Sequence, residues 1–349
     1  MNSLLRNRML TGDASRWLRQ LPQASVDCVM TSPPYVGLRN YGHPGQIGAE
    51  PSVEEWVEHL RTVMSQVAGV LKPSGTCWLN LGDAYARHQR HGAPPKSRLL
   101  APERLALALL ADGWIIRNVI VWHKPNPTPS SVRDRLTCAW EPIFLLTRSP
   151  HYFLDLDAIR IPHTSRRAPS RQSVEHRGRP AWAGPLAGDQ SGLDRLHAQG
   201  LPGHPLGKNP GDVWTVATSG YRSGHHAAFP EALVERPVLA GCPERVCTTC
   251  GQPWGRQPAT RQLGCLAVLG KLYPSCTCRS RWTPGLVLDP FMGSGTTALV
   301  AERLGRDWLG VELNPDFVAL AERRLDRARQ QRPAIRSRTQ QVTLKGGIS

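Results

Sequence analysis

Thr31-Ser32-Pro33-Pro34-Tyr35 brings a hydroxyl, two residues without N–H donors and an aromatic ring into five consecutive positions. The apolar Val26, Cys28, Val29 and Met30 just before it read as a short buried strand, so the five residues fall at a strand's C-terminal end. In open α/β sheets ligands bind at that edge. The prolines fix φ and donate no hydrogen bond, which lets carbonyls point outward as acceptors. With Tyr35 able to stack on a flat ring, such a site suits a nucleobase with an exocyclic amine. A plain proline turn after a core strand is the simpler alternative.

A second segment carries complementary chemistry. Leu286–Asp289 reads as a strand, Pro290-Phe291-Met292-Gly293-Ser294-Gly295-Thr296-Thr297 as a turn, and Ala298 to Leu304 as a helix. The glycines let backbone pass close to a ligand, and the helix start offers unpaired N–H groups. The next strand, Trp308 to Glu312, ends in an acid 23 residues after Asp289, where dinucleotide folds place the carboxylate that holds ribose hydroxyls. Strand, glycine turn, helix, strand and acid in that order point to an adenosine-containing cofactor. NAD and S-adenosylmethionine both fit, and a purely structural βαβ unit is the bland alternative.

Ser32 to Tyr35 resembles the catalytic motif of amino DNA methyltransferases, particularly those that modify N4 of cytosine; adenine-N6 members more often carry Asp or Asn at the Ser32 position. Asp289 to Thr297 is similar to the S-adenosylmethionine motif of the same family, with Phe291, Gly293 and Gly295 as its core. Gly12-Asp13, Trp122-His123-Lys124-Pro125-Asn126 with Arg135 and Trp140-Glu141, and His225-His226 through Phe229-Pro230 with Leu233 resemble further family segments. Together these cover roughly residues 10–150 and 212–326.

The resemblance implies Ser32, Pro33, Pro34 and Tyr35 as catalytic residues, and Asp13, Asp289, Phe291, Gly293, Gly295, Thr296, Glu312 and Phe229 as cofactor-binding residues. It implies S-adenosylmethionine as cofactor, double-stranded DNA as partner, and leaves room for a cognate restriction endonuclease acting on the same site. The catalytic motif precedes the cofactor motif, the beta arrangement of these enzymes. The implied fold is α/β: a Rossmann-like S-adenosylmethionine-dependent methyltransferase fold with a mostly parallel twisted sheet and circularly permuted motif order. The sheet would be assembled from both ends of the chain, with Asp289 and Ser32 meeting across neighbouring strand ends.

The elements that must position these residues alternate. Ser52 to Glu55 resembles a capping box, and apolar residues from Val53 to Leu71 recur at helical spacing until Lys72-Pro73-Ser74-Gly75 stops the helix. Thr76 to Leu81 reads as a strand, Pro102 to Leu110 as a helix, Ile115 to Trp122 and Ile143 to Thr147 as strands, and Asn314-Pro315 as a helix start. The division expected is 1–154 for the catalytic half, 155–220 for an irregular DNA target-recognition region and 221–241 for a cofactor-wrapping segment. A cysteine-rich insert follows at 242–280, the cofactor-binding half at 281–329 and a basic tail at 330–349. Between Arg160 and Pro180 six arginines face one acid, which suits a DNA contact or a disordered linker.

A net charge of +16 over 349 residues favours a polyanionic partner. No apolar run is long enough to span a membrane, and the first residues lack a signal-peptide core. The expectation is a cytoplasmic, nucleoid-associated protein of prokaryotic or phage origin, whose nine cysteines are reduced thiols or metal ligands. Cys247-x-x-Cys250 and Cys276-x-Cys278 could complete a tetrahedral zinc site in a small zinc-ribbon-like insert, with Cys242 and Cys265 as spare candidates and free thiols as the alternative. Such an insert is expected to support DNA binding. Rival readings are a methyltransferase acting on RNA or protein, and a zinc-bearing nucleic-acid-binding protein with an inactive methyltransferase core.

Overall fold

The computed structural model describes residues 5–162, 204–218, 229–259 and 267–331. In chain order the elements are β1 (Arg8–Thr11), α1 (Ala14–Leu18), β2 (Val26–Thr31), α2 (Val53–Val70), β3 (Leu71–Asn80), α3 (Ala101–Ala111), β4 (Ile115–His123), β5 (Trp140–Thr147) and β6 (Val213–Thr215). Then come α4 (Glu231–Gly241), the two-residue strands β7 (Val246–Cys247), β8 (Gly255–Arg256), β9 (Leu272–Tyr273) and β10 (Trp282–Thr283), β11 (Leu286–Asp289), α5 (Thr296–Arg303), β12 (Asp307–Glu312) and α6 (Pro315–Gln331). Eight strands form one sheet in the order β1-β12-β11-β2-β3-β5-β4-β6. Every neighbouring pair is parallel except the two made by β5. No helix among the described residues is long and apolar enough to cross a membrane.

Both faces of the sheet are covered, so its strands are apolar nearly throughout. Val29, Leu79, Leu288 and Leu309 join the core beneath α2 and α3, while Met30, Trp78, Val287 and Trp308 join the core shared with α4 and α5. Ser52 caps α2 by accepting from the Glu55 amide, as the capping box predicts. Lys72 to Gly75 does not form a loop. The chain passes from α2 straight into β3, and these residues bulge between the pairs Val26↔Leu71 and Cys28↔Thr76.

Strands β2 and β11 lie side by side although more than 250 residues separate them. Two buried carboxylates pin the seam. At its start Asp27 accepts from the Leu286 amide (2.9 Å) and from Lys72 Nζ (2.5 Å). Burial raises the Asp27 carboxyl above its ordinary range even beside this ammonium. At its end Asp289 accepts from Thr31 Oγ1 and Thr297 Oγ1, both at 2.7 Å, and from the Phe291 amide at 3.0 Å.

The cysteine-rich insert packs at the opposite end of the strands. Strand β7 pairs with β10, which leads directly into β11, and Lys72 donates to the Gly251 carbonyl at 3.5 Å. Arg256 joins the insert to Asp155 at 2.8 Å. The insert therefore sits at the N-terminal edge of the parallel strands, away from Ser32, joined to the sheet through β11 and through Lys72 of β3.

The arginine-rich stretch beyond Pro162 and the 330–349 tail beyond Gln331 lie outside the described residues. What brackets the former is regular: Ile161 and Lys208 exchange two backbone hydrogen bonds (3.0 and 2.9 Å). Val213–Thr215, expected within the recognition region, extends the main sheet beside β4.

The seam yields two tests. Burial holds the Asp289 carboxyl at about 6, against an ordinary value of 3.8. The folded state thus binds this proton more tightly than the unfolded chain, a stabilisation complete below the ordinary value and lost as pH rises through 6. Asp289→Asn abolishes this titration, so wild type should lose on the order of 3 kcal/mol relative to the variant between about pH 4 and pH 7 in urea unfolding; parallel curves would refute it. Lys72→Met strands the Asp27 charge and should destabilise the chain by about 3 kcal/mol in the same assay, with part of the loss recovered when Asp27→Asn is added.

Candidate active site

The C-terminal ends of β11, β12, β1, β2, β3 and β4 and the N-terminal end of β5 share one edge, where the strand connections diverge on either side of the seam. Ligands collect at such switch points. A cleft of about 340 Å³ opens there, lined continuously by Ser32, Pro33, Pro34 and Tyr35 on one side and by Phe291, Gly293, Thr296 and Glu312 on the other. Asp13 and Phe229 also line it. Its size suits a cofactor or a nucleobase-sized group.

On the first side Tyr35 is fixed at its hydroxyl. It donates to Glu141 Oε2 at 2.8 Å, with Asn80 Oδ1 at 3.3 Å and Ser32 Oγ at 3.2 Å. Burial and the Glu141 charge push the Tyr35 phenol well above its ordinary range, so the hydroxyl keeps its proton. Gly82 lies under the ring, and a methyl group there would overlap it. Trp56 Nε1 donates to the Pro34 carbonyl at 2.9 Å, whereas the Pro33 carbonyl has no such partner among the described residues. Lys124 forms an ion pair with Glu141 and lies 4.4 Å from the centroid of the Trp122 ring.

On the second side Gly295 caps α5 in the left-handed region (φ +80°), and a Cβ there would come within 2.9 Å of Ala321 Cβ. Glu312 accepts from the Gly293 amide (2.8 Å) and the Asn314 amide (2.9 Å), which tie the glycine turn to the end of β12. Burial raises its carboxyl above the ordinary range. Thr296 Oγ1 accepts from Arg324 at 2.8 Å. Tyr41 closes over this side, its ring 6.5 Å from Phe317 and edge-on to it.

Two expected cofactor residues take different places. Asp289 does not line the cleft: its carboxylate is consumed by Thr31, Thr297 and the Phe291 amide, and it shapes the turn from behind. Gly295 likewise stands behind the lining, against Ala321. Asp13 lines the cleft while its Oδ1 also caps α1 by accepting from the Arg16 amide at 2.8 Å. His225 and His226 fall outside the described residues. Asn80, Gly82 and Trp56 were not singled out as site residues by sequence reasoning. A polar Asn ending an apolar strand, followed by Leu-Gly-Asp, is the signal that marks the first two.

The four cysteines expected to bind metal do converge. The Sγ atoms of Cys247, Cys250, Cys276 and Cys278 lie within 4.8 Å of one another. Four thiolates around one zinc at about 2.3 Å stand roughly 3.8 Å apart, so the donor set fits with a small contraction. Gly251, at φ +73°, turns the first pair so that its amide donates to the Cys247 carbonyl at 3.0 Å. Cys242 is buried in the α4 core and is no ligand; Cys265 lies outside the described residues.

Comparison with known proteins bears on this geometry. The profile of the N6/N4 methyltransferase family, described as DNA methylase, matches residues 26–323. Type II methyltransferase M.SmaI of Serratia marcescens is 33% identical over 343 residues, covering 92% of this chain and 91% of its own. Type II methyltransferase M.Cfr9I of Citrobacter freundii is 32% identical over 339 residues, covering 91% and 87%. Among solved structures, the PvuII DNA methyltransferase (cytosine-N4-specific) superposes with a TM-score of 0.56 at 19% identity, covering 94% of this chain and 87% of that one. A putative DNA modification methylase of Thermus thermophilus, complexed with S-adenosyl-L-methionine, gives 0.50 at 24% identity, covering 92% and 95%. The fold is that of the S-adenosylmethionine-dependent methyltransferases, and the chain belongs to the N6/N4 amino DNA methyltransferase family.

Proposed function

We propose that this protein transfers the methyl group of S-adenosylmethionine to the exocyclic N4 amine of a cytosine flipped out of duplex DNA. The observation that carries the reading is the shared cleft in which the Ser32–Tyr35 turn faces the glycine turn and Glu312. Glu312 and the Gly293 turn suit the ribose and methionine portions of the cofactor, with Phe291 and Phe229 against its apolar surface. The cofactor supplies an electrophilic methyl group on a sulfonium.

The amine of cytosine is a weak nucleophile because its lone pair is delocalised, and it is buried in the duplex until the base is flipped. Tyr35 stacks on the flipped base, and Ser32 Oγ with the Pro33 carbonyl accepts the amine's hydrogens. This rotates the lone pair toward the sulfonium methyl for direct in-line attack. Trp56 occupies the Pro34 carbonyl, which leaves Pro33 as the acceptor. Positioning dominates such a reaction, and no cysteine nucleophile is required. Ser32, an uncharged acceptor, favours cytosine N4 over adenine N6.

The net charge of +16 supports DNA as the partner. The family relatives named Type II methyltransferases support a cytoplasmic modification enzyme paired with a restriction endonuclease of the same recognition sequence. The convergent thiolates support one structural zinc, held by Cys247, Cys250, Cys276 and Cys278, that gives the insert a reason to fold.

Incubation with duplex DNA and labelled cofactor, followed by nucleoside analysis, should yield N4-methylcytosine. N6-methyladenine would transfer the reading to the other base, and label on RNA or protein alone would overturn it. Tyr35→Ala should slow methylation by about 10- to 100-fold through lost stacking, and Ser32→Ala by less; full activity of Tyr35→Ala removes the site from the mechanism. Elemental analysis should find one zinc per chain, lost in Cys247→Ser with a lowered unfolding temperature. Metal-free protein of unchanged stability refutes the zinc.

A further inference from the structure

We propose that Glu141 is the final acceptor of the proton shed by the target amine, delivered through Ser32 and Tyr35. This rests on the amino-methyl-transfer reading above and extends it to the fate of the proton. Ser32 Oγ lies 3.2 Å from Tyr35 Oη, and Tyr35 Oη donates to Glu141 Oε2 at 2.8 Å. The three groups come from the end of β2, the turn after it and the start of β5, and they form an unbroken hydrogen-bonded line from the cleft to a carboxylate.

As the amine's lone pair forms the N–C bond, the C–S bond breaks and its electrons remain on sulfur as a neutral thioether. The nitrogen then carries the new methyl group, two hydrogens and a positive charge. One hydrogen leaves as a proton to Ser32 Oγ, the proton already on Ser32 moves to Tyr35 Oη, and the Tyr35 proton moves to Glu141 Oε2. The products are a neutral methylamine, the thioether and a protonated Glu141, which returns its proton to solvent between turnovers. The sulfonium's positive charge and the carboxylate's negative charge disappear together.

A serine hydroxyl needs such a line. It accepts a hydrogen bond well, but a proton held on it alone would leave an oxonium in a partly buried cleft. The transfer is favourable only if the hydroxyl gives up its own proton in the same event. Asn80 Oδ1, 3.3 Å from Tyr35 Oη, belongs to an amide and cannot take a proton at neutral pH. Glu141 is the carboxylate in reach of the tyrosine. Lys124 pairs with it and keeps it aimed, while Asn80 Nδ2 approaches the same Oε2 at 3.3 Å. Because acidity develops only as the N–C bond forms, the line strengthens in the transition state rather than in the ground state.

The test uses the full chain in single turnovers with labelled S-adenosylmethionine and duplex DNA. Glu141→Gln preserves an acceptor for Tyr35 and removes the base. It should slow methyl transfer on the order of 100-fold, with cofactor and DNA affinity essentially unchanged. Wild type should be slower in heavy water, and the isotope effect should collapse toward one in the variant. Tyr35→Phe keeps the stacking ring and cuts the line; it should reproduce both effects, and the double variant should be no slower than either single one. A Glu141→Gln rate within about threefold of wild type overturns the proposal. So does a slowed rate that keeps the full isotope effect, since Glu141 would then only position Tyr35. If Glu141→Gln fails to fold by circular dichroism, Tyr35→Phe decides by the same two readings. Failure of the underlying function is distinguishable, because wild type would then place no methyl group on duplex DNA.

Discussion

The structure turns on the seam between β2 and β11. Each strand leads into one side of the cleft, and the two sides are far apart in sequence. Backbone pairing alone holds two short strands weakly. The polar additions come at both ends: Asp27 captures the first amide of β11, and Asp289 captures the Thr31 hydroxyl at the last position of β2. Both carboxylates are buried, so each is costly unless its partners are in place. That cost is also a specification. A register slip of one residue would separate Asp289 from Thr31 and Asp27 from the Leu286 amide, so the Ser32–Tyr35 turn and the glycine turn meet in one alignment.

From this seam the remaining parts follow in order. The glycine turn is held by Glu312 and Arg324, the catalytic turn by Trp56 and Glu141. The insert approaches from the far edge and grips the same strand at its beginning, through the β7–β10 pair and through Lys72, which contacts both Asp27 and Gly251. One lysine thus touches both the seam and the turn that carries Cys247 and Cys250, so the insert and the strand alignment share a contact.

Much of this was legible in the sequence because local signals agreed with the fold. Leu286 to Asp289 is an apolar run ended by Asp-Pro, and its strand has those limits; α2 starts where the capping box puts it. Other features depend on partners that no local pattern reveals. Pro73-Ser74-Gly75 has the composition of a loop, yet pairing on both sides forces it into a bulge of β3. Trp140-Glu141 stands out in the sequence as a family-like segment, but only the reversed direction of β5 shows that Glu141 meets Tyr35. Asp289 was legible as important, but its role was not. A motif position gives no sign of whether a carboxylate faces a ligand or braces the loop that does.

The Ile161–Lys208 bridge has a consequence for the end of the sheet. Forty-six residues lie between its two members, and the chain leaves the bridge for β6 at the end of the sheet. Gly207 is packed so closely on the Ile161 carbonyl that a side chain there would collide with it. The crossing point is therefore closely packed at its backbone, with no room for a side chain at position 207. The strand that follows, β6, therefore enters the sheet beside β4 from a point fixed by backbone contacts.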